Sequence, residues 1–200
     1  MYDFIKHIEN KNTIITSAPG EGSTNLAYLI THELAIKGKI VLFFDTGHTL
    51  NRTYIKEHYF AMYNFSFIIQ GSLDIFINYL TDMNRILSYI DYVVIDTGDI
   101  LSKKHLLTLY NLFDSCNIKV ICTSQLRLNP NTSKPYSTVE EWNKQSSELP
   151  FDNSIWIRKV NEPNKILNRK YIDIYNNFRI GNKYYSRSLI SIDKKRGNIL

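Results

Sequence analysis

Apolar residues in the first 125 positions alternate between short continuous runs and longer stretches with helical spacing. The runs Thr13 to Thr16 (TIIT), Lys39 to Asp45 (KIVLFFD), Phe65 to Gln70, Tyr92 to Asp96 (YVVID) and Ile118 to Ser124 (IKVICTS) predict strands. The most continuous of them suit strands covered on both faces. Between them, Ser23 to Lys37 places Leu26, Leu29, Ile30, Leu34 and Ile36 near helical spacing, with Gly38 set to close the helix. Asn51 to Met62, Leu73 to Ile90 (opened by Ser72 as N-cap) and Ser102 to Asp114 predict three more helices. Strands alternating with helices predict βαβ units and a mostly parallel sheet.

The pattern changes after Ser124. Leu126 to Asn153 is polar, contains Pro130, Pro135 and Pro150 and keeps no period, which predicts a long loop of the kind that carries function. Three strand-like runs follow with no helix between them: Ser154 to Val160, Tyr171 to Asn176 and Tyr184 to Ile192. They predict an antiparallel extension of the sheet. The expectation is therefore one α/β domain over residues 1–200, its sheet flanked by helices.

Composition narrows this only slightly. With 44% hydrophobic and 22% charged residues the chain is of ordinary globular make-up. No apolar run reaches the roughly 18 residues a membrane helix needs, and Met1 to Lys11 lacks the apolar stretch of a signal peptide. Cys116 and Cys122 have no metal-like spacing and are expected as small core residues in a reducing, cytoplasmic compartment. The wealth of Asn, Ile, Lys and Tyr suits an AT-rich genome such as that of a virus, in keeping with a bacterial or virus-infected cell. The formal charge is +5. It is concentrated late, where Ile155 to Leu200 carries eleven Lys and Arg against Glu162, Asp173 and Asp193, so a polyanion or a merely solvated basic face are both open.

Chemistry concentrates at the first strand-to-helix turn. Ser17-Ala18-Pro19-Gly20-Glu21-Gly22-Ser23-Thr24 stands where a phosphate loop points backbone N–H groups and a helix N-terminus at phosphates. Against G-x-x-x-x-G-K-[ST], Gly22 keeps the second glycine and Thr24 the hydroxyl that ligates Mg²⁺. Ser17 replaces the first glycine and Ser23 the lysine whose ammonium neutralises the β- and γ-phosphates. Glu21 adds a negative charge to the loop. Asp96, at the carboxyl end of YVVID, occupies the position of a Walker B aspartate that holds Mg²⁺ through water. A ligand-free turn and a weak anion site are both compatible with these residues.

Val41-Leu42-Phe43-Phe44-Asp45-Thr46-Gly47-His48-Thr49-Leu50, with Asn51, Tyr54 and Ile55 after it, resembles the second core strand of RecA recombinases. The rest keeps that family's order. Thr123-Ser124-Gln125-Leu126-Arg127 resembles the strand that senses the γ-phosphate, and Leu126 to Asn153 stands where the family has its second DNA-binding loop. Ser154 to Lys159 and the two following runs resemble the antiparallel strands that finish the RecA core. The resemblance covers nearly the whole chain, and its departures fall at the chemistry. The family's catalytic glutamate aligns with Gly47, its phosphate-loop lysine with Ser23, and its Asn-Gln sensing pair with Ser124-Gln125. Near the family's trans-acting lysines only Arg179 offers a cation. With the first core strand beginning at Thr13, the family's N-terminal docking helix and strand are expected to be missing. His48 is expected to bond structurally, and His7, His32, His58 and His105 are too scattered for a metal site.

The resemblance implies a degenerate RecA-like protein acting in DNA recombination, repair or replication, with no required cofactor, no catalytic residue and at most weak ATP and Mg²⁺ binding. Nucleotide contacts would be Gly20, Gly22, Ser23, Thr24, Asp96 and Gln125, with Thr24 and Asp96 holding Mg²⁺. Single-stranded DNA would meet Arg127, Lys134 and Lys144 at its phosphates, and Tyr136 and Trp142 by stacking. Two alternatives are open: an interaction protein that caps or regulates an active RecA-type recombinase or another replication or recombination protein, and a residual ATPase completed in trans by Arg179.

Overall fold

The computed structural model describes residue 5 and residues 8–17, 22–48, 50–82, 86–97, 103–125, 151–159, 169–178 and 185–193. Its strands are β1 (Thr13–Ser17), β2 (Val41–Asp45), β3 (Ser66–Gln70), β4 (Tyr92–Asp96), β5 (Lys119–Gln125), β6 (Asn153–Lys159), β7 (Arg169–Phe178) and β8 (Tyr185–Asp193). Its helices are α1 (Ser23–Ile36), α2 (Arg52–His58), α3 (Phe60–Phe65), α4 (Leu73–Asp82) and α5 (Lys103–Ser115), with a 3₁₀ turn at Leu87–Tyr89. The chain divides into two compact units, Met1–Ser23 with Ser124–Leu200, and Thr24–Thr123.

In the Thr24–Thr123 unit, β2 pairs in parallel with β3 on one side and β4 on the other, and β4 pairs in parallel with β5. Every residue of β2 and β4 is buried, as continuous apolar strands with both faces covered require. Neighbouring side chains of β2 serve opposite faces. Phe43 lies 5.5 Å from Tyr28 of α1, while Phe44 stacks on Phe76 of α4 at 3.9 Å. Phe76 in turn lies 6.3 Å from Phe113 of α5. Helices thus cover both faces of the strands, and each phenylalanine ring so buried contributes about 1.5–3 kcal/mol.

The helix ends follow local chemistry. Gly38 adopts φ 77° after α1. Its N–H donates to Ala35 O at 3.0 Å, and the N–H of Lys39 donates to Leu34 O at 3.0 Å. These are the two bonds of a Schellman cap. Asn117, φ 58°, closes α5 likewise, with Ile118 N donating to Phe113 O at 2.9 Å. Ser72 Oγ accepts from Ile75 N at 3.4 Å at the start of α4.

Two helices differ from the sequence reading. The stretch expected as one helix from Asn51 to Met62 breaks at Tyr59 (φ −132°, ψ 54°) into α2 and α3. The ring of Tyr59 is buried, with Tyr28 and Tyr54 each at 6.0 Å and His32 at 5.8 Å, and this packing outweighs helical continuity. The helix expected through Ile90 is described only to Asp82, and the chain then makes the 3₁₀ turn. Buried Leu87 and Ile90 extend the apolar spacing there, while Ile90 itself is extended backbone leading towards β4. Cys122 is buried, but Cys116 is exposed, because it sits in the cap of α5 rather than in a strand.

In the other unit, β1 pairs in parallel with β6, from Thr13 opposite Asn153 to Ser17 opposite Ile157. β6 pairs antiparallel with β7, and β7 antiparallel with β8. Asp152 Oδ2 accepts from Asn12 N at 2.9 Å at the entrance to the β1–β6 pair. Among the described residues no helix is long and apolar enough to cross a membrane.

Candidate functional site

Parallel strands deliver their carboxyl ends to one edge, and in the Thr24–Thr123 unit the last residues of β2, β3 and β4, and Thr123 of β5, are polar there. Asp96 ends β4 and is fully buried. Its Oδ1 accepts from Thr123 Oγ1 at 2.5 Å and from Thr24 Oγ1 at 3.2 Å. Thr123 lies on β5 and is itself fully buried, and Thr24 lies in the first turn of α1. The two positions assigned to Mg²⁺, Thr24 and Asp96, are therefore in direct contact.

Asp45 ends β2 and is likewise buried. Its Oδ2 accepts from Gln70 Nε2 and from Leu50 N, each at 2.9 Å. Register explains the first bond, since Asp45 pairs with Gln70 along β2 and β3. The second bond brings Leu50, past the segment 46–48, back onto the strand end. His48 stands in that segment with φ 52°, exposed beside exposed Gly47. Thr46 straps β2 to β4. Its N–H donates to Asp96 O at 2.7 Å, its Oγ1 donates to Thr97 O at 2.7 Å, and Thr97 N donates to its Oγ1 at 2.9 Å. The Asp96–Thr97 peptide is cis.

Sequence reasoning singled out Thr24 and Asp96 but missed Asp45, Gln70 and Thr123 as members of this edge. Asp45 and Thr123 entered only as members of segments that resemble RecA strands, and Gln70 only as the end of an apolar run. Gly22, with φ 106°, precedes buried Ser23, the first residue of α1. Ser17, the last residue of β1, is buried, and its Oγ has no hydrogen-bond partner among the described residues. Gln125 ends β5 and is exposed. Gly20, Arg127, Lys134, Tyr136, Trp142, Lys144 and Arg179 lie outside the described residues.

The oxygen pair of Thr24 and Asp96 is chemically suited to Mg²⁺, which takes a hydroxyl and a carboxylate alongside phosphate oxygens. The donor set does not fit a triphosphate as well. At the positions that the resemblance to RecA recombinases sets against the family's lysine and glutamate, Ser23 has no cation and Gly47 no carboxylate. Among the described residues no group of three or more His, Cys, Asp or Glu is placed to hold a metal ion.

Two titratable groups outside this edge are displaced. Burial lowers the pKa of His32 against smaller opposing effects of Glu33 and the Tyr59 backbone. Its Nδ1 accepts from Ala61 N at 3.3 Å, a bond that the neutral ring alone can make. Burial, with Tyr54 and Tyr28 nearby, pushes the Tyr59 hydroxyl well above its ordinary range.

No protein-family description matches the chain, and no curated protein matches it. Among solved structures it is similar to a KaiC-like protein from the hyperthermophilic archaeon Pyrococcus horikoshii, with a TM-score of 0.61 and 16% identity. That likeness covers 96% of this chain and 89% of the archaeal one. At such identity it speaks for the backbone arrangement. The chain has a RecA-like α/β fold.

Proposed function

We propose that this RecA-like domain acts in DNA recombination, repair or replication by binding single-stranded DNA, with little or no hydrolysis of ATP. The observation that carries the reading is chemical. The strand-end carboxylates Asp45 and Asp96 accept hydrogen bonds from Leu50, Gln70, Thr24 and Thr123, while Ser23 and Gly47 replace the lysine and glutamate that hydrolysis needs. Losing one preorganised electrostatic group costs roughly 10²–10³ in rate, and losing both costs several orders of magnitude even without full additivity. Binding to DNA rests instead on Arg127, Lys134 and Lys144 for phosphates, Tyr136 and Trp142 for bases, and the basic residues after Ile155.

The test is fluorescence anisotropy of a labelled single-stranded oligonucleotide, with and without Mg-ATP, at low and moderate salt. Micromolar binding that persists at moderate salt and ignores ATP is expected. Absence of binding in every condition overturns the reading.

A second reading, an interaction module that caps or regulates an active RecA-type filament, draws on one observation. Phe60, Phe65, Phe67, Tyr79 and Tyr89 are 44–68% exposed in the Thr24–Thr123 unit. Exposed aromatic residues suit a protein contact where they join in one patch. That reading expects no DNA binding beyond salt-sensitive background.

A further inference from the structure

A cavity of about 280 Å³ is lined by Leu50, Arg52, Ile55, Tyr63, Ser66 and Ile68. All six belong to the Thr24–Thr123 unit, on the β2–α2 connection, α2, α3 and β3. Four of its six lining residues are apolar or aromatic, while its exposed surface is divided between polar and apolar atoms. Ile55 is fully buried, Leu50 is nearly so, and the ring of Tyr63 is 40% exposed.

Two polar groups break that lining. The Oγ of Ser66 is buried and has no hydrogen-bond partner among the described residues. Arg52 forms no ion pair among the described residues, where Lys39–Asp91 is such a pair. A buried hydroxyl without a partner is unfavourable, and a guanidinium presents a planar set of donors that matches a carboxylate. Both groups donate, so they call for an acceptor with negative charge. A bare anion leaves Leu50, Ile55 and Ile68 uncovered, and a neutral apolar molecule leaves Arg52 and Ser66 unanswered. Only a molecule with both parts meets the whole lining. At about 30 Å³ per water-sized group the cavity holds roughly nine or ten non-hydrogen atoms, a fragment-sized ligand.

We propose that this cavity binds a small organic acid, its carboxylate on Arg52 and Ser66 and its apolar body against Leu50, Ile55 and Ile68. The site depends on neither nucleotide nor DNA. It adjoins the strand-end network through Leu50, whose amide is held by Asp45.

The probe is phenylacetate, titrated into the full ¹⁵N-labelled chain and followed by amide chemical shifts. Phenylacetamide, the neutral isostere, and acetate, the head group alone, serve as controls. Saturable shifts at Leu50, Ile55, Ser66 and Ile68 are expected in the millimolar range or tighter, with both controls at least about tenfold weaker. Arg52→Gln is expected to weaken phenylacetate by about tenfold or more, and Ser66→Ala to weaken it to a smaller degree. Arg52 is exposed, so its substitution should leave the amide spectrum otherwise intact. No saturable shift up to the solubility limit overturns the proposal. So does equal binding of phenylacetamide, or an affinity unchanged in Arg52→Gln. The comparison of acid with amide needs no variant and stands even where a substitution disturbs folding.

Discussion

Thr123→Val removes one hydroxyl from the strand-end network while keeping shape and volume. Thr123 is fully buried and its Oγ1 lies 2.5 Å from Asp96 Oδ1, whereas Thr24, partly exposed, lies 3.2 Å from the same atom. A hydrogen bond to a charged acceptor contributes about 1.5–3 kcal/mol, and a buried carboxylate that loses such a donor keeps the cost of its desolvation. Thr123→Val is therefore expected to destabilise by about 1.5–3 kcal/mol, and Thr24→Val by about half as much or less, given its longer bond and access to water. Urea unfolding followed by circular dichroism reads the difference. With a slope of about 2 kcal/mol/M, the Thr123→Val midpoint falls by about 1 M while the slope stays unchanged. A double-mutant cycle with Asp96→Asn should recover most of the loss as coupling. A loss under about 0.5 kcal/mol, the usual range of substitutions away from such features, or a larger loss in Thr24→Val, refutes the view that Thr123 is the main anchor of Asp96.

Asp45→Ala leaves the buried Leu50 N–H and the Gln70 amide without their acceptor, and should cost about 2–4 kcal/mol in the same unfolding assay. His32 carries a pKa lowered from 6.5, so the unfolded chain takes up its proton first as pH falls. That contribution to stability is complete above about pH 6.5 and is lost as pH drops towards the folded value. Unfolding midpoints measured from pH 8 to 5 should fall less steeply in His32→Asn than in the parent. Gly38→Ala meets no atom within 4 Å, yet forces a Cβ into φ 77°. It should cost about 1 kcal/mol, read as a lower Tm.

The strand-and-helix alternation was legible because β2 and β4 are apolar at nearly every position, a pattern that only doubly covered strands need. Gly38 was legible as a stop because its place after the last periodic residue has one common meaning. The break at Tyr59 was not. Ile55, Tyr59 and Met62 keep helical spacing straight through it, and the cause is the aromatic cluster assembled by Tyr28 and His32 from another helix. The candidate edge was half legible. Thr24 and Asp96 sat in motif positions, but Thr123, Asp45 and Gln70 acquire their roles from register between strands far apart in sequence. Spacing along one strand cannot show that.

Steady-state phosphate release from ATP, measured across a range of protein concentrations with and without single-stranded DNA, tests the central claim most directly. On the proposed reading, which sets Ser23 and Gly47 against the family's lysine and glutamate, turnover is expected to stay at background under every condition. Turnover that rises with protein concentration and disappears in Arg179→Ala contradicts the claim, and assigns the missing cation to a neighbouring copy.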